Sequence, residues 1–299
     1  MNFSDRHVGV GWRNFKKKAA EIPVILKDLG SVNVKDFGAA GNGIKDDTSA
    51  ILAAIAACAV GGTVLFPGGT YLFSSTIVVG KTIKLKGTGA AELWYDTAPG
   101  ASKLLKSASL NGPGVRLTYK GAIIEDLSLD GQPGNGGDGI SIEAGFCLLC
   151  GLMVIRQGRD GIRVGTDGSE NSNLWYIERV NSIANVRNGF HFHSGSYNAN
   201  AGTAVHSAAI LNQVNGFHLE RALSNTFLNA LSENNTGLGF YFGSYASRHV
   251  LLNAYPDSNG AGGFYFESST RNNVYIPSPE QSIIDLGINI NLAEAVLNP

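Results

Sequence analysis

The chain has 299 residues, among them 39 glycines, with 43% hydrophobic and only 16% charged residues and a net charge of −1. That length admits one or two domains, and the composition fits a large, turn-rich, β-dominated protein with a substantial core. The near-zero charge excludes a general attraction for polyanions, so no nucleic-acid partner is expected.

In chain order, Met1 to Gly30 has no apolar stretch behind its charged start, so no Sec-type leader is expected. Lys16, Lys17 and Lys18, the only basic run, read as a solvated helix face. Next, Asp46 precedes a helical stripe of Ile51, Leu52 and Ile55, where its carboxylate can accept orphan backbone N–H groups. Asp47 is expected to add negative charge in the first turn, and Gly61 and Gly62 to end the helix. The uncharged run Ala50 to Phe66 is interrupted by those glycines and is shorter than the ~20 residues of a membrane span, so no membrane insertion is expected. TVLFPGGTYLF then alternates Val64, Phe66, Tyr71 and Phe73 around a Pro-Gly-Gly turn and predicts two strands. Cys58, Cys147 and Cys150 cannot all pair, and the single Cys-x-x-Cys lacks a second pair to complete a metal set, so all three read as buried apolar residues.

VNVKDFGAAGNGIKDDTSAILAAI, followed by GGTVLFPGGTYLF and TIKLKGTG, resembles the opening of the pectate-lyase-superfamily right-handed parallel β-helix. The resemblance covers roughly Ser31 to Gly89 and implies an all-β solenoid with a short N-terminal capping α-helix. It makes Asp36, Asp46 and Asp47 parts of the cap, not a catalytic or metal site.

Independently of that resemblance, DGISI, DGIRV, NGFHF, NGFHL, LGFYF and GGFYF recur from Asp138, Asp160, Asn188, Asn215, Leu238 and Gly262, at intervals of 22, 28, 27, 23 and 24 residues. Such a period suits one solenoid coil per repeat. Each unit carries a turn residue, a Gly, and an apolar-variable-apolar triplet whose alternation points the apolar pair inward. A second strand per coil is predicted from IIEDLSLDG, NLWYIERV, NTFLNALSE and HVLLNAY, and Asn181, Asn229 and Asn253 within them read as turns or polar ladders. The solenoid is assigned to residues 31–276, after a helix and linker at 1–30 and before a tail at 277–299, where Pro277 and Pro279 break regular structure.

Aligning the repeats predicts two outward columns: Ser141, Arg163, His191, His218, Tyr241, Tyr265, and Glu143, Gly165, His193, Glu220, Gly243, Glu267. Rings, imidazoles and carboxylates on one face suit a sugar polymer, with subunit interface and plain surface as the alternatives. Arg163, His191, His193, His218, Tyr241 and Tyr265 are the expected substrate-binding residues. His191, His193, His218 and Glu220 form a two-by-two patch, but residues i and i+2 stand about 6.6 Å apart along a strand, wide for a shared ion. No metal and no cofactor is expected there.

Hydrolysis of a glycoside needs two carboxyl groups, roughly 5 Å apart for retention or 6.5–9.5 Å for inversion. Glu220 and Glu267 share a column two coils apart, about 9.6 Å at the backbone, which favours inversion. Glu233 and Asp257 align on adjacent coils as the alternative pair. A lyase would instead use Tyr241 or Tyr265 with Arg163 or His218. The chain lacks the paired Asp and Gly-His-Gly pattern of polygalacturonase-like members and the Asp-Pro-His of alginate epimerases.

GWRNFKKKAAEIPVILKDLGSVNVKDFG resembles the helix and linker ahead of the β-helix in phage tailspikes. That resemblance implies a homotrimer that binds, and often cleaves, a bacterial surface polysaccharide, in the tail of a virion and made in the host cytoplasm; a secreted bacterial protein is the alternative. Non-catalytic receptor binding on the same scaffold is the competing function. Residues 1–30 are short for a head-binding domain and the tail has no room for a further module, so attachment falls to that segment or to a tail adaptor protein.

Overall fold

The computed structural model describes residues 30–90, 100–165, 171–193, 195, 199–276 and 282–292. The helix and linker expected at 1–30 therefore lie, but for Gly30, outside the described residues, as do Pro277 and Pro279. The architecture is an all-β parallel solenoid. A nine-stranded sheet takes one strand from each successive coil, from Ile77–Val79 to Ile283–Asp285, and the remaining strands form a second, 18-stranded sheet. Every strand pairing among the described residues joins neighbouring coils in parallel.

Three of the four predicted second strands prove to be two each, while NLWYIERV runs into one long strand, Tyr176–Ile183. NTFLNALSE gives Thr226–Leu228 and Leu231–Glu233, and HVLLNAY with Pro256 and Asp257 gives Val250–Leu252 and Tyr255–Asp257. The residue between them, Asn229 or Asn253, sits at positive φ and turns the corner. Where the chain runs on without a break, as in Leu148–Ile155 and Tyr176–Ile183, one long strand serves both faces. Two of the three asparagines form the expected ladder, Asn253 Nδ2 donating to Asn229 Oδ1 at 2.8 Å, whereas Asn181 lies inside the strand Tyr176–Ile183, whose positive-φ residue is Arg179.

The repeat's aromatic pair packs the interior. Phe190, Phe217, Phe240 and Phe264 stack with centroids 4.7, 4.7 and 5.1 Å apart. Inside the turns, Asn185, Asn212, Asn235 and Asn259 hand on side-chain hydrogen bonds of 2.8 Å from coil to coil. The repeat glycine is required by close approach: a Cβ on Gly216 would meet Ser232 Oγ and lie 2.8 Å from the Gly239 carbonyl oxygen.

The opening acidic cluster is structural. Asp36 lies in a short 3-10 helix, Val34–Phe37. Asp46 accepts from the Thr48 N–H at 2.9 Å, at the start of the helix Thr48–Ala57, as expected. Asp47 corrects its expectation: the carboxylate is buried and accepts from Ala40 N–H at 2.7 Å and Gly41 N–H at 2.9 Å, pinning the preceding loop instead of charging the first turn. The helix also stops earlier than expected, at Ala57 with Cys58 as its cap, and Gly61, at φ +80°, belongs to the turn beyond. Cys58 and Cys147 are buried, whereas Cys150 is partly exposed and receives Arg179 Nη2 at 3.2 Å. The boundary drawn at 276 is likewise corrected, because Ile283–Asp285 and Ile288–Asn291 pair with the preceding coil and continue the solenoid. No helix among the described residues is long and apolar enough to cross a membrane.

Candidate active site on the nine-stranded sheet

Both outward columns exist. Ser141 pairs with Arg163, Arg163 with His191, His191 with His218, His218 with Tyr241, and Tyr241 with Tyr265. In the second column His193 pairs with Glu220, and backbone bonds from Gly243 to Leu219 and from Glu267 to Phe242 continue the register. The rings make a continuous run of contacts: His191 meets His218 edge-on at 4.7 Å, His218 lies tilted against Tyr241 at 4.6 Å, and Tyr241 stacks on Tyr265 at 5.7 Å.

Glu267 is held by the column beside it. Tyr241 Oη donates to one carboxylate oxygen and Ser244 Oγ to the other at 3.1 Å. Gly243 does not leave the gap between Glu220 and Glu267 open, because the Tyr241 ring fills it; a Cβ at Gly243 would lie 2.8 Å from Tyr241 Cε1. Burial, together with the bond to Glu267, pushes the Tyr241 phenol well above its ordinary value. Glu220 lies against two imidazoles, 3.5 Å from His193 Nδ1 and 3.9 Å from His218 Nε2. Arg163 turns back along its own strand, donating from Nε to the Gly165 carbonyl at 3.1 Å.

Glu233 and Asp257 are adjacent across coils, as aligned, but on strands of the 18-stranded sheet. Their local partners are Asn234 and Ser258, and they do not join the strip.

The sequence reading missed the groups behind the imidazoles. Asp160 is fully buried and binds Arg187 in bidentate fashion, Nε to Oδ1 at 2.8 Å and Nη2 to Oδ2. Its Oδ2 is also 3.0 Å from His191 Nδ1, and Asn188 Nδ2 donates to Oδ1 at 2.9 Å. Burial raises the Asp160 pKa, but the bonds and charges of Arg187 and His191 outweigh it and hold the carboxyl far below the usual range. The available signal lay in the repeat's turn column. Asp138, Asp160, Asn188 and Asn215 each accept from the backbone N–H of the next coil, and Asp160 alone among them has the arginine of an Arg-Asn-Gly turn above it.

Asn215 sets the state of His218. Its Oδ1 accepts from the Leu238 N–H at 2.8 Å, so its Nδ2 faces His218 Nδ1 at 3.2 Å and must donate there. The proton of a neutral His218 is then on Nε2, toward Glu220 and the outside. Burial, reinforced by the neighbouring His191, drives the His218 pKa down to about 3, so the ring is a neutral N–H donor across the physiological range.

Residues 31–114 match the family described as rhamnogalacturonase A/epimerase, pectate lyase-like. Mannuronan C5-epimerase AlgE1 of Azotobacter vinelandii is 30% identical over 217 residues, 70% of this chain and 14% of that protein. The chain spans between 11% and 35% of the length of the mannuronan epimerases it matches. The Asp-Pro-His tripeptide does not occur in this chain. The N-terminal fragment of bacteriophage phi29 gene product 12 superposes with a TM-score of 0.66 at 17% identity, over 88% of this chain and 50% of that one. WceF of Pantoea stewartii, described as a glycan biofilm modifying enzyme with a bacteriophage tailspike-like parallel β-helix fold, gives 0.59 at 13% identity over 86% of this chain and 38% of its own. The chain is thus a parallel β-helix, pectate-lyase-like over residues 31–114, whose fold is shared with the phi29 gene product 12 fragment and with the tailspike-like WceF.

Proposed function

We propose that the strip binds a bacterial surface polysaccharide along the solenoid axis and cleaves it, as a depolymerase of a phage tail. The observation that carries this reading is the unbroken column of ring contacts His191, His218, Tyr241, Tyr265, whose last two rings stack, edged by Glu220 and Glu267. Ring faces take up sugar faces, while the imidazole N–H and the carboxylates satisfy hydroxyls. Two coil steps put the backbones of the two residues about 9.6 Å apart, just beyond the roughly 6.5–9.5 Å between inverting carboxyl groups, so the pair requires the side chains to lean toward each other. Glu267, an acceptor of two hydroxyls, is suited to take a proton from water, and Glu220 to serve the leaving oxygen. The phage and tailspike-like neighbours support a tail location. A homotrimer and attachment through an adaptor belong to the same proposal.

Elimination from, or epimerisation of, a uronic acid polymer is the second reading, favoured by the mannuronan epimerase relatives. Arg163 or His218 would face the sugar carboxylate. Tyr241, with its phenol pushed up, is a poor base, which leaves Tyr265 for that role. Incubation with capsules and O-antigens of candidate hosts and with alginate separates the readings: hydrolysis yields new reducing ends without ultraviolet absorbance, elimination yields both. Glu220→Gln and Glu267→Gln are each expected to slow hydrolysis by about 100-fold or more. Full cleavage by the double variant overturns the carboxylate pair, and binding without any product makes the protein a receptor-binding spike.

A further inference from the structure

We propose that His191, His193 and Glu220 bind a divalent first-row transition metal ion, Zn²⁺ or a close analogue. The strand spacing that argued against a shared ion is overcome by the side chains: one ring nitrogen from each histidine and a carboxylate oxygen of Glu220 lie within 4.8 Å of one another. His193 Nδ1 and Glu220 Oε2 are already at 3.5 Å, close to the roughly 3.3 Å between neighbouring ligand atoms around a tetrahedral zinc. The remaining approach falls to Glu220, whose side chain is 36% exposed.

A second, independent observation lies at His191. The residue is only 7% exposed, and its Nε2 is buried without a hydrogen-bond partner. A buried polar atom left unpaired requires an explanation, and an ion is one. The ring is backed as a metal-binding imidazole is backed elsewhere, with Nδ1 against a carboxylate, Asp160 Oδ2, at 3.0 Å. Arg187 Nη2 also approaches Nδ1, at 2.9 Å. Arg187 Nη2 already donates to Asp160 Oδ2, so of the two contacts at Nδ1 we take the one to the carboxylate as its hydrogen bond; the proton then sits on Nδ1 and the Nε2 lone pair is left for an ion. His218 is excluded as a ligand by its tautomer and stands beside the site as a donor. Two imidazoles and one carboxylate select zinc, cobalt or nickel over calcium or magnesium, and leave positions open for water or a sugar oxygen. An ion held there takes Glu220 out of the carboxylate pair, so loading would lower hydrolysis. That consequence alone rests on the glycan-cleaving reading.

The test needs no substrate. Untagged protein stripped with a chelator is titrated with Co²⁺ and followed by its visible d–d absorption, then challenged with Zn²⁺. One ion per chain, displaced by Zn²⁺, is expected. His193→Gln and Glu220→Gln, both at the accessible rim, should each weaken binding at least tenfold, and Asp160→Asn, acting through the His191 ring, by about 10–100-fold. Absence of uptake, or equally tight uptake by the His193→Gln, Glu220→Gln double variant with an unchanged melting curve, overturns the site.

Discussion

Asn215 and Asp160 show how far the chemistry of the strip depends on residues that never reach its surface. Asn215 fixes the tautomer of His218, and Asp160 fixes the orientation of His191. His249 is a third case. It occupies a rung between Asn225 and Asn273, accepting from the Asn225 N–H at 3.1 Å through Nδ1 and donating through Nε2 to the Ala222 carbonyl at 3.0 Å. Burial holds its pKa down to about 3, as it does that of His218, whereas histidine in an unfolded chain titrates near about 6.5. Between those values the unfolded chain binds more protons, so stability is full above about pH 6.5 and declines as pH falls toward 3. The urea midpoint should therefore drop between pH 7.5 and pH 5, and His249→Asn, which restores asparagine to the rung, should reduce that drop. Equal midpoints at the two pH values would falsify the assignment. In the sequence five of the six histidines fall between His191 and His249. Which of them faced outward followed from alternation for His191, His193 and His218, while His249, outside the repeat motif, had no such signal.

At the scale of the coil, the repeat glycine and the polar ladders do the same work from two sides. Ser232 Oγ donates to the Gly239 carbonyl at 2.9 Å and also meets Asn235 Nδ2 at 3.0 Å, just where a Cβ on Gly216 would project. Gly216→Ala should cost about 1–3 kcal/mol by overpacking, read as a lower urea midpoint, and Gly216→Ala with Ser232→Ala should recover part of it. No recovery in the double variant would show that the glycine serves another purpose. The sequence displayed the Gly as a constant of the repeat and assigned it to a turn. Its physical cause, close approach between coils, involves residues about sixteen positions away and is invisible to local pattern.

Across the whole molecule each coil is stabilised mainly by its neighbours, so stability is expected to vary along the axis. Ile283–Asp285 and Ile288–Asn291 pair on one side only among the described residues, and Ile284 and Ile288 stay exposed. Their amides should exchange with deuterium well before those of Phe217–Glu220 and Leu238–Phe242, which lie between stacked phenylalanine rungs. Uniform protection along the axis would count against an axial gradient.

Periodicity alone determined the solenoid, the inward phenylalanines and both outward columns, because strand alternation and a constant inter-coil register follow from backbone geometry. The cap was legible in part: Asp46 at the helix start was, the role of Asp47 and the end of the helix were not. Only the tertiary structure decided the rest. It split three of the four second strands at a corner, carried the solenoid past residue 276, and put Glu233 and Asp257 on the other sheet. It also placed Tyr241 between Glu220 and Glu267 and set Asp160 and Arg187 behind His191. The reason is common to all of these: rotamers, tautomers and corner angles are chosen by contacts from adjacent coils, and those contacts come from residues some 22 to 28 positions apart in the chain.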